Sequence, residues 1–170
     1  ELYRLYGEEN RIILPHEKIP DVVRHATLAA EDRNFFVHPG IDTPSLFRAL
    51  IKNLRSGSIR QGRSTITQQV ARALYLTREK TFSRKLKEII LALKIEQTLS
   101  KDEILDLYLN TVPYGANAYG IETAANTYFN KSAYDLTIEE AALLAALPSA
   151  PSALSPYGEG KDDLIRRKRH

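Results

Sequence analysis

The amino-acid sequence predicts a mainly α-helical domain, and three observations indicate this. Apolar residues recur at intervals of three and four through most of the chain, which is the period of an amphipathic helix. Strand-like alternation is confined to short pieces near the start, within residues 2–6 and 11–14. Several periodic segments also open with Ser or Thr followed three residues later by Glu or Gln, which is a helix-start signal.

The composition fits one folded domain covering residues 1–170. Hydrophobic residues make up 43% of the chain and charged residues 26%, as in ordinary globular proteins. A chain of this length can bury a hydrophobic core. The sequence begins with Glu1 and contains no methionine, so we expect a fragment of a longer protein.

The first helix is predicted to begin at Asp21, a favourable N-cap residue, and to end at Glu31 and Asp32. Its apolar positions are Val22, Val23, Ala26 and Ala30. Carboxylates at a helix C-terminus oppose the macrodipole. This placement therefore lowers the stability of the helix, unless the two carboxylates serve a purpose other than stability.

The second helix is predicted to begin at Asp42-Thr43-Pro44, with proline at the first helical position, and to end near Gly57. Basic side chains occupy its other faces. Its apolar residues, called the 46–54 stripe below, are Leu46, Phe47, Leu50, Ile51 and Leu54. The pattern is typical of a basic amphipathic helix.

A polar loop separates this helix from a third, predicted from Ser64-Thr65 to about Leu76, in which Thr65 and Gln68 resemble a capping box. Unpaired backbone donors, hydroxyl groups and nearby arginines such as Arg72 could bind an anion at its start. Ordinary N-capping explains the hydroxyls equally well. The adjacent Gln68 and Gln69 could hold sugar or phosphate oxygens.

The fourth helix is predicted from Phe82 to Leu99 and is apolar on most sides, so we expect it in the middle of the domain. Arg84, Lys85 and Glu88 share one side of it. This acid between two cations is either a structural ion pair or part of a functional site.

Two more capping boxes predict the starts of the remaining helices. Ser100 and Glu103 open a fifth helix, and Thr137 and Glu140 open a last short helix that ends by Pro148. The residues beyond it are read as a loop-rich tail.

The bulk charge and the metal-binding residue types restrict the function. A net charge of +3 suits phosphates or anionic lipid heads but does not argue for nucleic acid, and we expect no nucleic-acid partner. The chain has no cysteine and no His or acid cluster with metal-ligand spacing, so we expect no dedicated metal site. His38, before Pro39, could make a structural hydrogen bond or orient Glu31 or Asp32.

Four ordered motifs resemble the peptidoglycan glycosyltransferase family (glycosyltransferase family 51), the lipid II polymerising domain of bifunctional class A penicillin-binding proteins. They are EDRNFFVHPG at residues 31–40, GRSTITQQ at 62–69, RKLKE at 84–88 and KDEILDLYLN at 101–110. Departures from the family pattern include Arg63 for a usual glycine, Arg72 for lysine, Asn130 for a frequent glycine, and VPYG for the more usual Tyr-Phe-Gly pattern.

The resemblance implies a lysozyme-like helical lobe, a smaller membrane-proximal lobe and an active cleft between them. It implies that Glu31 is the general base and that Glu88 is the second catalytic glutamate. It further implies donor pyrophosphate or substrate contacts from Ser64, Thr65, Gln68, Gln69, Arg72, Arg84 and Lys85. We expect Asp32, Phe35 and His38 to support the base, with Phe35 and Phe36 forming its apolar wall.

The resemblance also implies the partners and the location. These are lipid II, the nascent glycan strand, the inhibitor moenomycin, and a membrane surface contacted through the 46–54 stripe. The expected place is the outer face of the bacterial inner membrane, with any anchor outside these residues. No cofactor is expected to be obligatory, although Mg²⁺ or Mn²⁺ could join the pyrophosphate. A glycan-cleaving lytic transglycosylase is the alternative enzyme, and a membrane-surface adaptor is the alternative without turnover.

Overall fold

The computed structural model describes residues 10–44, 64–75 and 81–148, and this part of the chain is mainly helical, as predicted. The arrangement is consistent with a lysozyme-like helical lobe. The 46–54 stripe, the strand-like residues 2–6 and the tail after residue 148 lie outside the described residues. The helices are α1 (Asp21–Glu31), α2 (Ile66–Tyr75), α3 (Phe82–Thr98), α4 (Lys101–Thr111), α5 (Ile121–Phe129) and α6 (Ile138–Ala146).

The predicted caps of three helices are confirmed. Ser100 and Glu103 form a reciprocal capping box at α4, and Thr137 and Glu140 form another at α6. At α2, the Thr65 amide donates to Gln68 Oε1 and the Gln68 amide donates to Thr65 Oγ1, both at 3.2 Å.

The predicted N-cap of α1 is wrong by one residue. Pro20 is the N-cap, and Asp21 is the first helical residue. Pro20 has an extended backbone and no amide hydrogen, so it lies outside the helix. The Asp21 carboxylate lies in the first turn, where it complements the helix dipole.

A small sheet and α5 complete the described part of the chain. The strand-like pattern of residues 11–14 overlaps the sheet only at Arg11, and the other strands and α5 were not predicted. The strands are β1 (Asn10–Arg11), β2 (Pro113–Gly115) and β3 (Ala118–Tyr119), in the order β1-β3-β2. β1 runs parallel to β3, and β2 runs antiparallel to it. The tight connection places Gly115, Ala116 and Asn117 at positive φ.

The core lies between helices from both ends of the described chain and from its middle. α1 packs against α6, and α2 packs against both α3 and α4. The largest fully buried apolar side chains include Phe35, Ile66, Ile104, Leu109 and Leu144. The candidate site therefore stands on packed helices rather than on an isolated loop.

The prediction that the fourth helix is buried on most sides is wrong. Leu86, Ile90 and Leu93 on α3 are 52%, 47% and 39% exposed. The opposite face, through Glu88 and Ala92, is completely buried. α3 therefore buries one face only, and that face carries an acid. Within the described ranges, we find no helix long and apolar enough to span a membrane.

Candidate active site

Glu31 is the last residue of α1 and is 7% exposed. Its Oε2 accepts a hydrogen bond of 2.9 Å from Nε2 of Gln69, on α2. The same amide nitrogen lies 3.5 Å from the Ser64 carbonyl oxygen, to which it also donates. The side chain of Gln69 therefore fixes the orientation of the Glu31 carboxylate against the start of α2.

Asp32 and His38 join the loop after α1 to α2. His38 Nε2 lies 3.0 Å from both carboxylate oxygens of Asp32, and Asp32 Oδ2 accepts the Ile66 backbone N–H at 3.1 Å. The Gly40 amide donates to His38 Nδ1 at 3.2 Å, which places the imidazole proton on Nε2. Both residues thus brace the loop of residues 32–40, immediately after Glu31.

The aromatic residues of this loop differ in exposure. Phe35 is completely buried, with its ring edge-on to the rings of Phe36 and His38. Phe36, by contrast, is 55% exposed, so its predicted role in the apolar wall of Glu31 stays a prediction. The chain turns through residues 33–37, and the two adjacent rings stay in contact, with their centroids 5.2 Å apart.

The start of α2 is occupied by protein groups. The Ile66 amide donates to Asp32 Oδ2, and the Gln68 amide donates to Thr65 Oγ1. The prediction that the backbone donors here are unpaired is therefore wrong for these two amides. The Thr65 hydroxyl also donates to the Gly40 carbonyl at 2.6 Å. Thr65 and Gln68 are thus buried in capping contacts, and their predicted role in substrate binding stays a prediction.

Glu88 lies on the buried face of α3 and is completely inaccessible to solvent. Its Oε1 accepts hydrogen bonds from Lys85 Nζ and, at 3.4 Å, from the Ser64 hydroxyl. Lys85 Nζ also donates to Ser64 Oγ at 2.8 Å. Among the described residues, Glu88 Oε2 has no hydrogen-bond partner. Because the Lys85 side chain is 41% exposed, it connects this buried acid to the surface.

Two arginines lie near this cluster. Arg84 precedes Lys85 and is half-buried, and its Nε is buried without a hydrogen-bond partner within residues 10–44, 64–75 and 81–148. Arg72 is half-buried on α2. Their predicted contacts with phosphate stay predictions.

Two buried tyrosines near Glu31 were missed by the sequence reasoning. Tyr108 on α4 and Tyr114 on β2 are completely buried, and their hydroxyls have no hydrogen-bond partner in the described part of the chain. Burial, and then the charge of Glu31, raise the pKa of both phenols above the ordinary value. Tyr108 could have been found from the sequence, because it places a phenol on the apolar face of a predicted helix.

The structure therefore connects residues from three of the four motifs. The path runs from Glu31 through Gln69 and Ser64 to Lys85 and Glu88. Two buried carboxylates thus stand at the same helix start, with a partly exposed cation beside one of them. Over the described ranges, no group of three or more His, Cys, Asp or Glu side chains is arranged to hold a metal ion.

A family model described as Transglycosylase matches residues 1–170. The chain belongs to the transglycosylase family. It is 49% identical over 168 residues to penicillin-binding protein 1A of Neisseria gonorrhoeae and 50% identical over 166 residues to penicillin-binding protein 1A of Aquifex aeolicus. These matches cover 99% and 98% of this chain but only 21% and 23% of the relatives, so the chain spans about a fifth of their length.

Membership of the transglycosylase family confirms the family and the enzyme class that the four motifs predict, a peptidoglycan glycosyltransferase. It also explains why the motifs of this family converge here. They supply the acids, the amide and the cation of one connected site.

Proposed function

We propose that this domain polymerises lipid II into the β-1,4 glycan strands of peptidoglycan. The growing chain would pass from its undecaprenyl pyrophosphate to the 4-hydroxyl of the acceptor N-acetylglucosamine, with inversion at the anomeric carbon. One observation carries the proposal: the hydrogen-bonded path that joins Glu31, Gln69, Ser64, Lys85 and Glu88. The proposal is supported because Glu31 and Lys85, its candidate base and candidate phosphate-binding cation, both lie near the start of α2.

Glu31 acts as the general base in this proposal. A sugar hydroxyl is a weak nucleophile at neutral pH, so a carboxylate must take its proton as the bond to the anomeric carbon forms. The bond from that carbon to the pyrophosphate oxygen breaks, and the pyrophosphate leaves with the electron pair. The Gln69 amide supports this role because it holds one carboxylate oxygen in a fixed direction.

The departing pyrophosphate needs charge neutralisation more than a proton. Lys85 is suited to this because its ammonium is anchored by Glu88 and Ser64 while its side chain stays partly exposed. A cation held in advance stabilises developing charge without reorganising during the reaction. Arg84 and Arg72 would add further positive charge, and Glu88 would act by holding Lys85.

No metal ion is obligatory in this proposal. The described residues offer no multidentate cluster for one, so Mg²⁺ or Mn²⁺ would be held mainly by pyrophosphate oxygens. We therefore expect polymerisation to persist in excess chelator. A complete loss that added Mg²⁺ restores would contradict this part.

The proposed setting is the outer face of the bacterial inner membrane. The substrate carries a lipid, so the site must work at a bilayer surface, and we propose contact through the 46–54 stripe. The nascent glycan strand and moenomycin, a phosphoglycolipid, would occupy the same cleft as lipid II.

The decisive experiment incubates the purified chain with labelled lipid II and resolves the product lengths. Glu31→Gln should abolish polymerisation but retain moenomycin binding, because the amide keeps the shape and cannot accept the proton. Glu88→Gln should fold but polymerise poorly. Glu103→Gln is the matched control, since this exposed carboxylate lies in the α4 capping box, away from the path. Near-normal turnover by Glu31→Gln would remove Glu31 from the base role.

The same reaction with finished glycan separates the alternatives. A glycosidase needs an acid for its sugar leaving group and no phosphate-binding cations. Shortening of finished glycan without growth of lipid II products would favour the glycan-cleaving enzyme. Binding to membranes with neither reaction would favour the adaptor.

A further inference from the structure

Lys101, the first residue of α4, makes contacts that the proposed reaction has not used. Its Nζ donates to the His38 carbonyl at 2.7 Å and to Glu96 Oε1 at 2.8 Å. The same ammonium lies 4.5 Å from the centre of the Phe35 ring, within cation–π range. Two of these three partners belong to the loop of residues 32–40.

This loop begins immediately after Glu31 and is tied to the helix that orients the acid. Asp32 bonds the Ile66 amide at the start of α2, and Gln69 of α2 bonds Glu31. If the loop moved at His38, Asp32 would move with it because the two side chains are in contact. The start of α2 and the Glu31 carboxylate would then shift as well. The hold of Lys101 on His38 therefore bears on the position of Glu31.

Glu96 anchors Lys101 from α3. Its Oε1 accepts from the Thr67 hydroxyl of α2 at 2.5 Å as well as from Lys101. Gly40, at a φ of +85°, packs so closely that a Cβ there would lie 2.9 Å from Glu96 Cγ. The Lys101–Glu96 pair thus stands where α2, α3, α4 and the end of the loop meet.

We propose that Lys101 is a positioning residue for the reaction: it clamps the loop of residues 32–40 and so keeps Glu31 and Gln69 in register. The inference rests on the proposed function. The clamp uses a cation that is 21% exposed and contacts a carbonyl, a carboxylate and a ring at once, a combination that a neutral side chain cannot reproduce.

The test replaces Lys101 with methionine, which keeps the length and removes the charge. We expect kcat for lipid II polymerisation to fall about 10- to 100-fold while KM stays within about twofold, since small displacements of reacting groups cost this much without changing binding. Lys101→Arg should restore part of kcat, because a guanidinium can also donate to the carbonyl and stack on Phe35.

Lys131→Met is the matched control. Lys131 pairs with Glu140 at 2.9 Å and is 33% exposed, so its removal breaks a comparable ion pair away from the loop. We expect it to lower thermal stability without lowering kcat. If Lys101→Met lost stability in the same way and kept its kcat, Lys101 would be only structural and the proposal would be overturned.

A second measurement does not depend on turnover. The loop carries its own backbone hydrogen bonds, from the amides of Phe35, Val37 and His38. Their hydrogen exchange should accelerate in Lys101→Met and not in Lys131→Met, and equal exchange in the two variants would overturn the clamp. A wild-type chain that did not polymerise lipid II would contradict the proposed function, and the exchange result would still decide whether Lys101 holds the loop.

Discussion

Tyr114 brings a hydroxyl group into the core without giving it a partner. The side chain is completely buried, and its hydroxyl has no hydrogen-bond partner in the described part of the chain. A buried polar group left in this state costs about 1–3 kcal/mol.

We therefore predict that Tyr114→Phe leaves the free energy of unfolding unchanged or raises it by up to about 1–3 kcal/mol. Tyr128→Phe is the matched control, because the Tyr128 hydroxyl donates to the Tyr114 carbonyl at 2.8 Å. Its loss should destabilise the protein by about 1 kcal/mol. Urea unfolding of the three proteins measures both effects. If Tyr114→Phe were the more destabilised variant, its hydroxyl would have a bonding role that the folded chain requires.

Some site residues can be recognised from the sequence, and others cannot. Glu31, Gln69, Lys85 and Glu88 were predicted from motifs, and the structure brings them onto one hydrogen-bonded path. Lys101 was not singled out, although it lies in a quoted motif. Its importance depends on contacts with a carbonyl and a ring more than 60 residues earlier in the chain, and no spacing rule indicates such contacts.

At the scale of helices, local signals were the most reliable. The capping boxes of α4 and α6 were predicted because all their partners lie within four residues. α5 was missed because its N-cap is Gly120, which offers no capping side chain. The burial of α3 was misjudged because its apolar residues surround the axis, and only tertiary contacts decide which face is covered.

These capping boxes predict a pH dependence of stability. The hydrogen bond from the Ser100 backbone lowers the pKa of Glu103, and the one from the Thr137 backbone, with help from Lys131, lowers the pKa of Glu140. A carboxyl with a lowered pKa in the folded state stabilises the fold above its unfolded pKa, about 4.3. That contribution is lost as the pH falls through the lowered values.

The measurement compares the Tm of the wild type with that of a Glu103→Gln/Glu140→Gln double variant from pH 7 to pH 3. The amide can still accept the capping hydrogen bond but carries no charge to complement the helix dipole. The wild type should be the more stable protein at pH 7, and the difference should shrink below about pH 4.3. A difference that stayed constant with pH would show that the charges of these boxes do not contribute.

At the scale of the whole molecule, the sequence predicted the helical class but not the arrangement. α1 and α6 pack together although more than 100 residues separate them. Helical period shows that each has an apolar face and cannot show which faces meet. The site depends on this arrangement, because α1 delivers Glu31 while α2 and α3 deliver Gln69 and Glu88.

Both charge and apolar side chains could attract the domain to a bilayer, and salt separates the two contributions. The net charge of +3 predicts attraction to anionic lipids that weakens as salt rises. Insertion of apolar side chains predicts a further contribution that persists in high salt. Replacing Phe47 and Leu50 with alanine should therefore weaken binding to anionic liposomes at both low and high salt, measured by flotation.

The matched control for the liposome experiment replaces Tyr134 and Ile138 with alanine. These side chains are 72% and 71% exposed and lie near the start of α6, outside the 46–54 stripe. We expect this variant to bind like the wild type, because the proposed membrane contact is made by the 46–54 stripe and not by these side chains. Equal weakening in both variants would mean that apolar exposure in general drives binding. Unchanged binding in a folded Phe47/Leu50 variant would remove the 46–54 stripe as the membrane contact and leave charge as the attraction.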